Sequence, residues 1–380
     1  MGKSSMQMRI CYLANATVVN THTHRWINYF AEHGWKVDLI TWRSPAYAEI
    51  HPDITIHRIL FPPHYIARYG ALLEMAWLLR KIRPDIIHAH CLSHFGILAG
   101  LYSRLSGFRP IVLTAWGSDV LVDAKGWKKR LVKYALKRAD CITCQGENVA
   151  KAMAEMGVDL QRIKLIAFGV DVDKFCSLQE GERLKESLGI VNAPAVISIR
   201  NFEQIYDVES LIKAIPLVLK EVPEAKFLIA GDGSQEAGLK GLAESLGISN
   251  STKFIGFIPH DELPQYLASS DIYVSTSLSD CGLAVSTAEA MACGLPVVIT
   301  DIADHRRWAE AGLGGFIVPA RDPKSLAAKV LCILRNGELA RRFGQTNRQL
   351  VMERFNYYEE MQKMESIYEQ LLGLCPKKAD

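Results

Sequence analysis

The stretch whose reading decides the fold is residues 275–296, S-T-S-L-S-D-C-G-L-A-V-S-T-A-E-A-M-A-C-G-L-P. It leaves a short apolar strand pattern (272–275), crosses a Ser-rich loop bearing Ser277 and Asp280, passes Gly282, and enters a helical pattern carrying Glu289. Gly294 and Pro296 stop that helix, and Val297-Val298-Ile299 begins another strand. Strand, loop, helix and strand in this order form the unit of a parallel sheet covered by helices. Ligands of such sheets sit at the C-terminal ends of the strands, where this loop delivers Ser277, Asp280 and Gly282. A helix N-terminus takes an anion on its backbone N–H groups, and carboxylates accept hydrogen bonds from hydroxyls. A nucleotide-sugar offers that combination. Ser286 with Glu289 three residues on also fits a capping box, and spacing alone leaves both readings open.

Outward from this stretch, the same alternation fills the chain. The expected first-half strands are 9–13, 36–41, 54–59, 85–89, 110–115, 140–143 and 163–166, with helical patterns such as 24–33, 71–82 and 127–138 between them. The second-half strands are 195–199, 225–230, 252–256, 272–275, 296–300 and 315–318. Several are continuously apolar, as sheets buried on both faces require. The break lies near residues 168–173, F-G-V-D-V-D, followed by a charged linker over 177–192, and the chain closes on a helical pattern over 357–372. The fold class is α/β, with an N-terminal Rossmann-like domain over 1–170 that also takes a return helix from 357–380. A second Rossmann-like domain spans 190–356.

The chain has 380 residues and a net charge of +3. That charge is uneven: residues 1–170 carry 22 Lys/Arg against 12 Asp/Glu, and the rest carries 22 against 29. A basic first half points to an anionic partner such as a lipid phosphate, a phospholipid surface or an acidic glycan. Seven of the basic residues fall in 125–138, K-G-W-K-K-R-L-V-K-Y-A-L-K-R, beside Trp127, Leu131, Val132 and Leu136. That segment reads either as a helix lying on an anionic membrane or as a covering helix with a solvated basic face. The apolar loop 61–66, F-P-P-H-Y-I, could add a membrane or acceptor contact. No apolar run reaches the roughly 18 residues of a membrane span. The stretch 10–19 is broken by Asn15 and reads as a buried strand and loop rather than a secretory signal. Met6 removes the myristoylation pattern from Gly2. The nine cysteines include one C-x-x-C, Cys141 and Cys144, without the second pair a zinc site needs. They read as reduced core residues of a cytoplasmic protein.

Several pieces, in order, resemble the retaining glycosyltransferases of the GT-B fold, family 4. They are Pro84-Asp85-Ile86-Ile87-His88-Ala89-His90, Trp116-Gly117-Ser118-Asp119, Gly169-Val170-Asp171 with Phe175, and Arg200 after a strand. Gly231-Asp232-Gly233, Phe254-Ile255-Gly256-Phe257 and the 277–298 signature follow. The resemblance covers essentially the whole chain. It implies two Rossmann-like domains facing a central cleft. It also implies metal-independent, cofactor-free transfer of a sugar from a UDP- or GDP-sugar to a hydroxyl of a glycan or lipid-linked acceptor. No nucleic-acid partner is expected. Asp171-Val172-Asp173 matches a metal-binding Asp-x-Asp of a different transferase fold, but it coincides with the family's Gly-Val-Asp. Gly231-Asp232-Gly233 lacks the third glycine of a dinucleotide fingerprint, which argues against a nicotinamide-dependent dehydrogenase.

The resemblance also implies roles. The family has two glutamates separated by seven residues, one for the donor sugar and one for the ribose. Here Asp280 and Glu289 are separated by eight, so Glu289 takes the ribose and Asp280 stands in for the sugar ligand. Cys281, Gly282, Leu283 and Ala284 would meet the sugar and diphosphate through backbone. Arg200 suits the charge on the leaving diphosphate; a surface pair with Glu203 is its bland alternative. The family's Lys beyond Arg200 is here Tyr206, and its His before Gly-x-Asp is Trp116. Asp119 becomes the polar group expected on the acceptor side, or else the cap of a turn. Gly231, Phe257 and Ile258 would line the nucleotide. His22, His24, His88 and His90 follow or end strands and could face the cleft, where a metal cluster is conceivable. Two alternatives stand: a nucleotide-sugar 2-epimerase, and a degenerate nucleotide-sugar-binding protein.

Overall fold

Among the described residues thirteen short strands, all ending within a residue of the expected positions, form two parallel sheets. The structure is a computed structural model and describes residues 7–17, 21–45, 49–63, 67–176, 181–309 and 314–374. Chain contacts divide it into two units, Met1–Phe168 with Glu359–Asp380, and Gly169–Tyr358.

In the first unit the strands are β1 (Arg9–Leu13), β2 (Lys36–Thr41), β3 (Thr55–Arg58), β4 (Ile86–His90), β5 (Ile111–Ala115), β6 (Cys141–Cys144) and β7 (Ile163–Leu165). Their order is β3-β2-β1-β4-β5-β6-β7. β4 and β5 are buried along their whole length, as central strands covered on both faces are, although β4 carries His88 and His90 and β5 carries Thr114. The chain order reverses between β1 and β4, the switch point at which an open α/β sheet splays its loops apart. The Tyr357–Leu372 helix enters this unit from Glu359 and is tied to the sheet by a buried polar chain. Tyr368 meets Tyr12 at 3.0 Å and also bonds His88, which reaches Thr114 at 2.6 Å.

In the second unit the strands are β8 (Ala195–Ile199), β9 (Lys226–Ala230), β10 (Thr252–Gly256), β11 (Ile272–Ser275), β12 (Val297–Thr300) and β13 (Gly315–Val318). Their order, β10-β9-β8-β11-β12-β13, again reverses once, between β8 and β11. Val196, Phe227, Ile229, Val274 and Val298 form its core with Leu211, Ile215 and Phe343 from the covering helices. The loops after β8 and β11 therefore emerge side by side at one edge.

Two expectations need correction. His88 and His90 do not project from a loop: they are the third and fifth residues of β4, 0% and 2% exposed, held among Tyr12 and Trp26. Not every cysteine is a core residue either; Cys332 is exposed and Cys91, Cys176 and Cys281 are half-buried, while Cys141 and Cys144 are buried. Residues 64–66 of the apolar loop and 177–180 of the linker lie outside the described residues.

Candidate active site

The reversal between β8 and β11 sets two loops against each other, and Arg200 and Asp280 meet there. Arg200 is the first residue past β8, and its Nη2 donates to Asp280 Oδ1 at 2.6 Å. Its Nη1 donates to Ser286 Oγ at 3.3 Å, and its guanidinium lies 4.4 Å over the Tyr206 ring. Both charged side chains are about nine-tenths buried, 9% and 10% exposed. Burial alone would lower the guanidinium, but Asp280, then Tyr273 and Tyr206, hold it above its ordinary value. Glu203 is not its partner: that carboxylate accepts from Ser234 N–H and Oγ at 2.9 and 2.7 Å. Arg200 Nε is buried and finds no acceptor among the described residues.

Neighbouring chain keeps this arrangement in place. Gly231 follows β9 with φ +140°, and a Cβ there would strike the Arg200 carbonyl oxygen. Its lack of a side chain thus allows the close approach of the Arg200 loop. Leu278 N–H donates to Ile205 O at 2.8 Å and Thr276 Oγ1 to Tyr206 O at 3.1 Å, so the loops bearing Arg200 and Asp280 are sewn together. Gly282, at φ +64°, makes the turn into the Val285–Ala292 helix. Leu283 and Ala284 are buried. Ala284 is the N-cap of that helix, with no side-chain cap. Ser286 therefore builds no capping box; it bonds Arg200 and, at 3.0 Å, the Tyr273 hydroxyl. The orphan N–H groups at this helix start lie beside the guanidinium, a donor set suited to a diphosphate.

Glu289, one turn further on, is 4% exposed and accepts from His260 Nε2 at 3.0 Å. Lys174 donates to His260 Nδ1 at 3.2 Å and to Asp261 Oδ1 at 2.5 Å. An ammonium has only donors, so Nδ1 is the accepting nitrogen and Nε2 carries the proton given to Glu289. Phe175 holds the ring from the side at 5.2 Å. His305 backs the other carboxylate. Its Nδ1 donates to the Thr300 carbonyl at 2.8 Å, and its Nε2 stands 3.7 Å from Asp280 Oδ2. Burial lowers its pKa, with Asp280 opposing. Sequence reasoning missed Lys174, His260 and His305, which carry no motif of their own. Phe257, past β10, is 52% exposed, whereas Ile258 is buried.

In the first unit the structure corrects the role expected of Asp119. It is fully buried, and its oxygens accept from Leu92, Trp116 and Gly117 N–H at 2.6, 3.0 and 3.0 Å. Burial pushes its pKa up to about 6 against the pull of those three N–H groups. It is a loop cap, the alternative its spacing allowed. Trp116 lies near His90 and Phe168, with ring centroids at 6.1 and 5.8 Å. His24 pairs with Glu49 at 2.8 Å; the His22 side chain lies outside the described residues. No three His, Cys, Asp or Glu gather to hold a metal among the described residues.

Known proteins match this chain along its length. The model of "Glycosyl transferases group 1" matches residues 180–350, and that of "Glycosyl transferase 4-like" matches residues 9–146. The N-acetyl-alpha-D-glucosaminyl L-malate synthase of Bacillus anthracis is 25% identical over 354 residues, 90% of this chain and 91% of its own. An Escherichia coli UDP-Gal:alpha-D-GlcNAc-diphosphoundecaprenol alpha-1,3-galactosyltransferase is 26% identical over 310 residues, 78% of each chain. The crystal structure of Anabaena HepE in complex with UDP superposes with a TM-score of 0.83 at 17% identity, over 96% of this chain and all of that one, a likeness of fold.

Proposed function

Because the chain belongs to the group 1 glycosyl transferases, enzymes here of GT-B architecture, we propose that it moves a sugar from a nucleotide diphosphate-sugar to an acceptor hydroxyl with retention of configuration and without metal or cofactor. The observation that carries this reading is Arg200. Its guanidinium is oriented by Asp280, Tyr206 and Ser286, keeps a buried Nε–H without an acceptor among the described residues, and stands beside a helix N-terminus. Such fixed donors stabilise charge growing on a leaving diphosphate at no cost of reorganisation. Tyr206, in place of a lysine, adds no charge but holds Arg200 by its ring face.

Glu289 accepts from the ribose, with Lys174 and His260 fixing its orientation. Asp280 serves first as the counter-ion of Arg200. The backbone of 281–284 meets the sugar and diphosphate, and Phe257 stacks on the base. Catalysis then rests on positioning and charge stabilisation more than on a protein nucleophile. The names of the B. anthracis and E. coli relatives support a soluble anionic or a lipid-linked acceptor and, for the latter, a UDP-sugar. No helix among the described residues is long and apolar enough to cross a membrane.

A thermal-shift panel of UDP- and GDP-sugars identifies the donor, since binding to the native state alone raises Tm. Transfer to candidate acceptors then follows, with the product anomer read by NMR. An epimerised donor formed without acceptor would move the assignment to an epimerase. Nucleotide binding that is lost in Glu289→Ala, with no turnover on any pair, would leave a binding protein.

A further inference from the structure

The first unit holds a cavity of about 410 Å³ with no part in the donor site. Trp42 and Arg43, which directly follow β2, form one wall. Ser93 and His94, on a π-helical turn (Leu92–Gly96) after β4, form another. Arg68, Asp123, Trp127 and Lys128 close it. The cavity thus lies at the C-terminal ends of strands flanking β1, beside the switch point of this sheet, where open α/β sheets take their ligands.

Its wall is strained and pinned. Cys91, just before the turn, holds φ +70°, which a non-glycine residue avoids, and single π turns gather at functional sites. The buried Asp119 carboxylate clamps the turn through Leu92 N–H at 2.6 Å. Cys91 Sγ lies 3.3 Å from His94 Nδ1, and burial pushes that thiol up to about 12.

The lining carries three cations, Arg43, Arg68 and Lys128, against one carboxylate, Asp123. Asp123 accepts from Ser93 Oγ at 3.5 Å, and none of the three cations has an ion-pair partner among the described residues. Arg68 Nε is buried and finds no acceptor there, and burial holds the guanidinium below its ordinary value against the pull of Tyr69. A bound anion would relieve both costs. Guanidinium forks match phosphoryl oxygens in pairs. Two indoles, Trp42 and the 57% exposed Trp127, add flat amphipathic faces for whatever the anion is attached to.

We propose that this cavity seats a phosphoryl group borne by the acceptor, with Arg43, Arg68 and Lys128 on its oxygens and Trp42 and Trp127 against the attached sugar or apolar chain. The acceptor role rests on the glycosyltransferase reading above; the binding itself does not.

The test titrates the full chain with glycerol 3-phosphate, dodecyl phosphate and neutral dodecyl glucoside, following tryptophan fluorescence, with UDP titrated in parallel. At least one phosphate should bind about tenfold or more tighter than the glucoside, and the Arg43→Gln/Arg68→Gln double variant should weaken it about tenfold with UDP binding unchanged. The exposed Lys128→Gln, which disturbs no packing, should weaken it about threefold. Dodecyl phosphate well ahead of glycerol 3-phosphate marks a lipid-borne phosphoryl; equal affinities mark a soluble one. No binding of either phosphate, equal binding of the glucoside, or full affinity in the variants overturns the proposal. Phosphate binding without any sugar transfer would sink the transferase reading while leaving the site.

Discussion

Arg200 and Asp280 depend on each other, and their burial makes the dependence steep. Removing one partner of a buried pair strands the other charge, at a cost of about 3–5 kcal/mol. Asp280→Ala should therefore lower Tm sharply in thermal unfolding and, by releasing Arg200, reduce turnover as well. Arg200→Gln should cut kcat by about 10²–10³-fold, the range for losing one preorganised donor to a developing negative charge. Unchanged kcat in steady-state kinetics would remove Arg200 from the chemistry. Glu289→Gln keeps the shape of the side chain but loses a charge-assisted hydrogen bond worth about 1.5–3 kcal/mol. Calorimetric titration should show nucleoside diphosphate affinity falling by about tenfold or more. At this scale only the residue types were legible. Arg200 and Asp280 are both visible in the sequence, but that they pair, while Glu203 turns to Ser234, depends on loop conformation.

The element that matters most is the Val285–Ala292 helix, whose start faces Arg200 and whose second turn holds Glu289. Its position is set from behind by the Gly337–Arg354 helix. Arg348 donates to the Ala292 carbonyl at 2.7 Å, and Gly344 packs so closely that an added Cβ would strike the Gly294 carbonyl oxygen. Gly344→Ala should therefore destabilise the fold by about 1–3 kcal/mol through overpacking, and weaken nucleotide binding although residue 344 lines no part of the donor site. A variant with unchanged Tm and affinity would show that the two helices are not coupled. The Gly126–Arg138 helix gives the contrasting case. Val132, Ala135 and Leu136 are buried, and a Cβ at Gly100 of the neighbouring Ile97–Ser106 helix would lie 3.1 Å from Ala135 Cα. Its basic residues lie mostly outward. Periodicity showed that such a covering helix exists, because one apolar stripe per turn is a local property. It did not show that Lys128 and Trp127, at the start of that helix, line a cavity with Arg43 and Arg68.

Across the whole molecule, acid should act on both units through buried histidines, with the raised pKa of Asp119 opposing in the first. His88 in the first and His305 in the second have pKa values lowered chiefly by burial, which favours the neutral ring in the fold. An unfolded histidine takes up a proton near pH 6.5, and stability is lost as pH falls below that value towards the depressed folded pKa values. Thermal unfolding should show Tm nearly level above pH 7 and falling towards pH 5, with a shallower slope in His88→Gln even if its Tm is lower throughout. An equal slope in that variant would assign the acid sensitivity elsewhere. On this scale the sequence was most informative. β-branched runs bounded by Gly, Pro and Asp located the strands almost to the residue, since side-chain alternation and chain breakers act over a few neighbours. Alternation with helices determined the parallel sheets, and the run of motifs determined the family. Tertiary structure alone decided which groups face one another. It made Asp119 a buried cap, placed His88 and His90 inside β4, brought Lys174 and His260 behind Glu289, and left Arg68 without an acceptor among the described residues. Apart from the short-range bonds of Asp119 to Trp116 and Gly117, those contacts join residues tens of positions apart, and their geometry follows from strand order and loop closure, which no local pattern encodes.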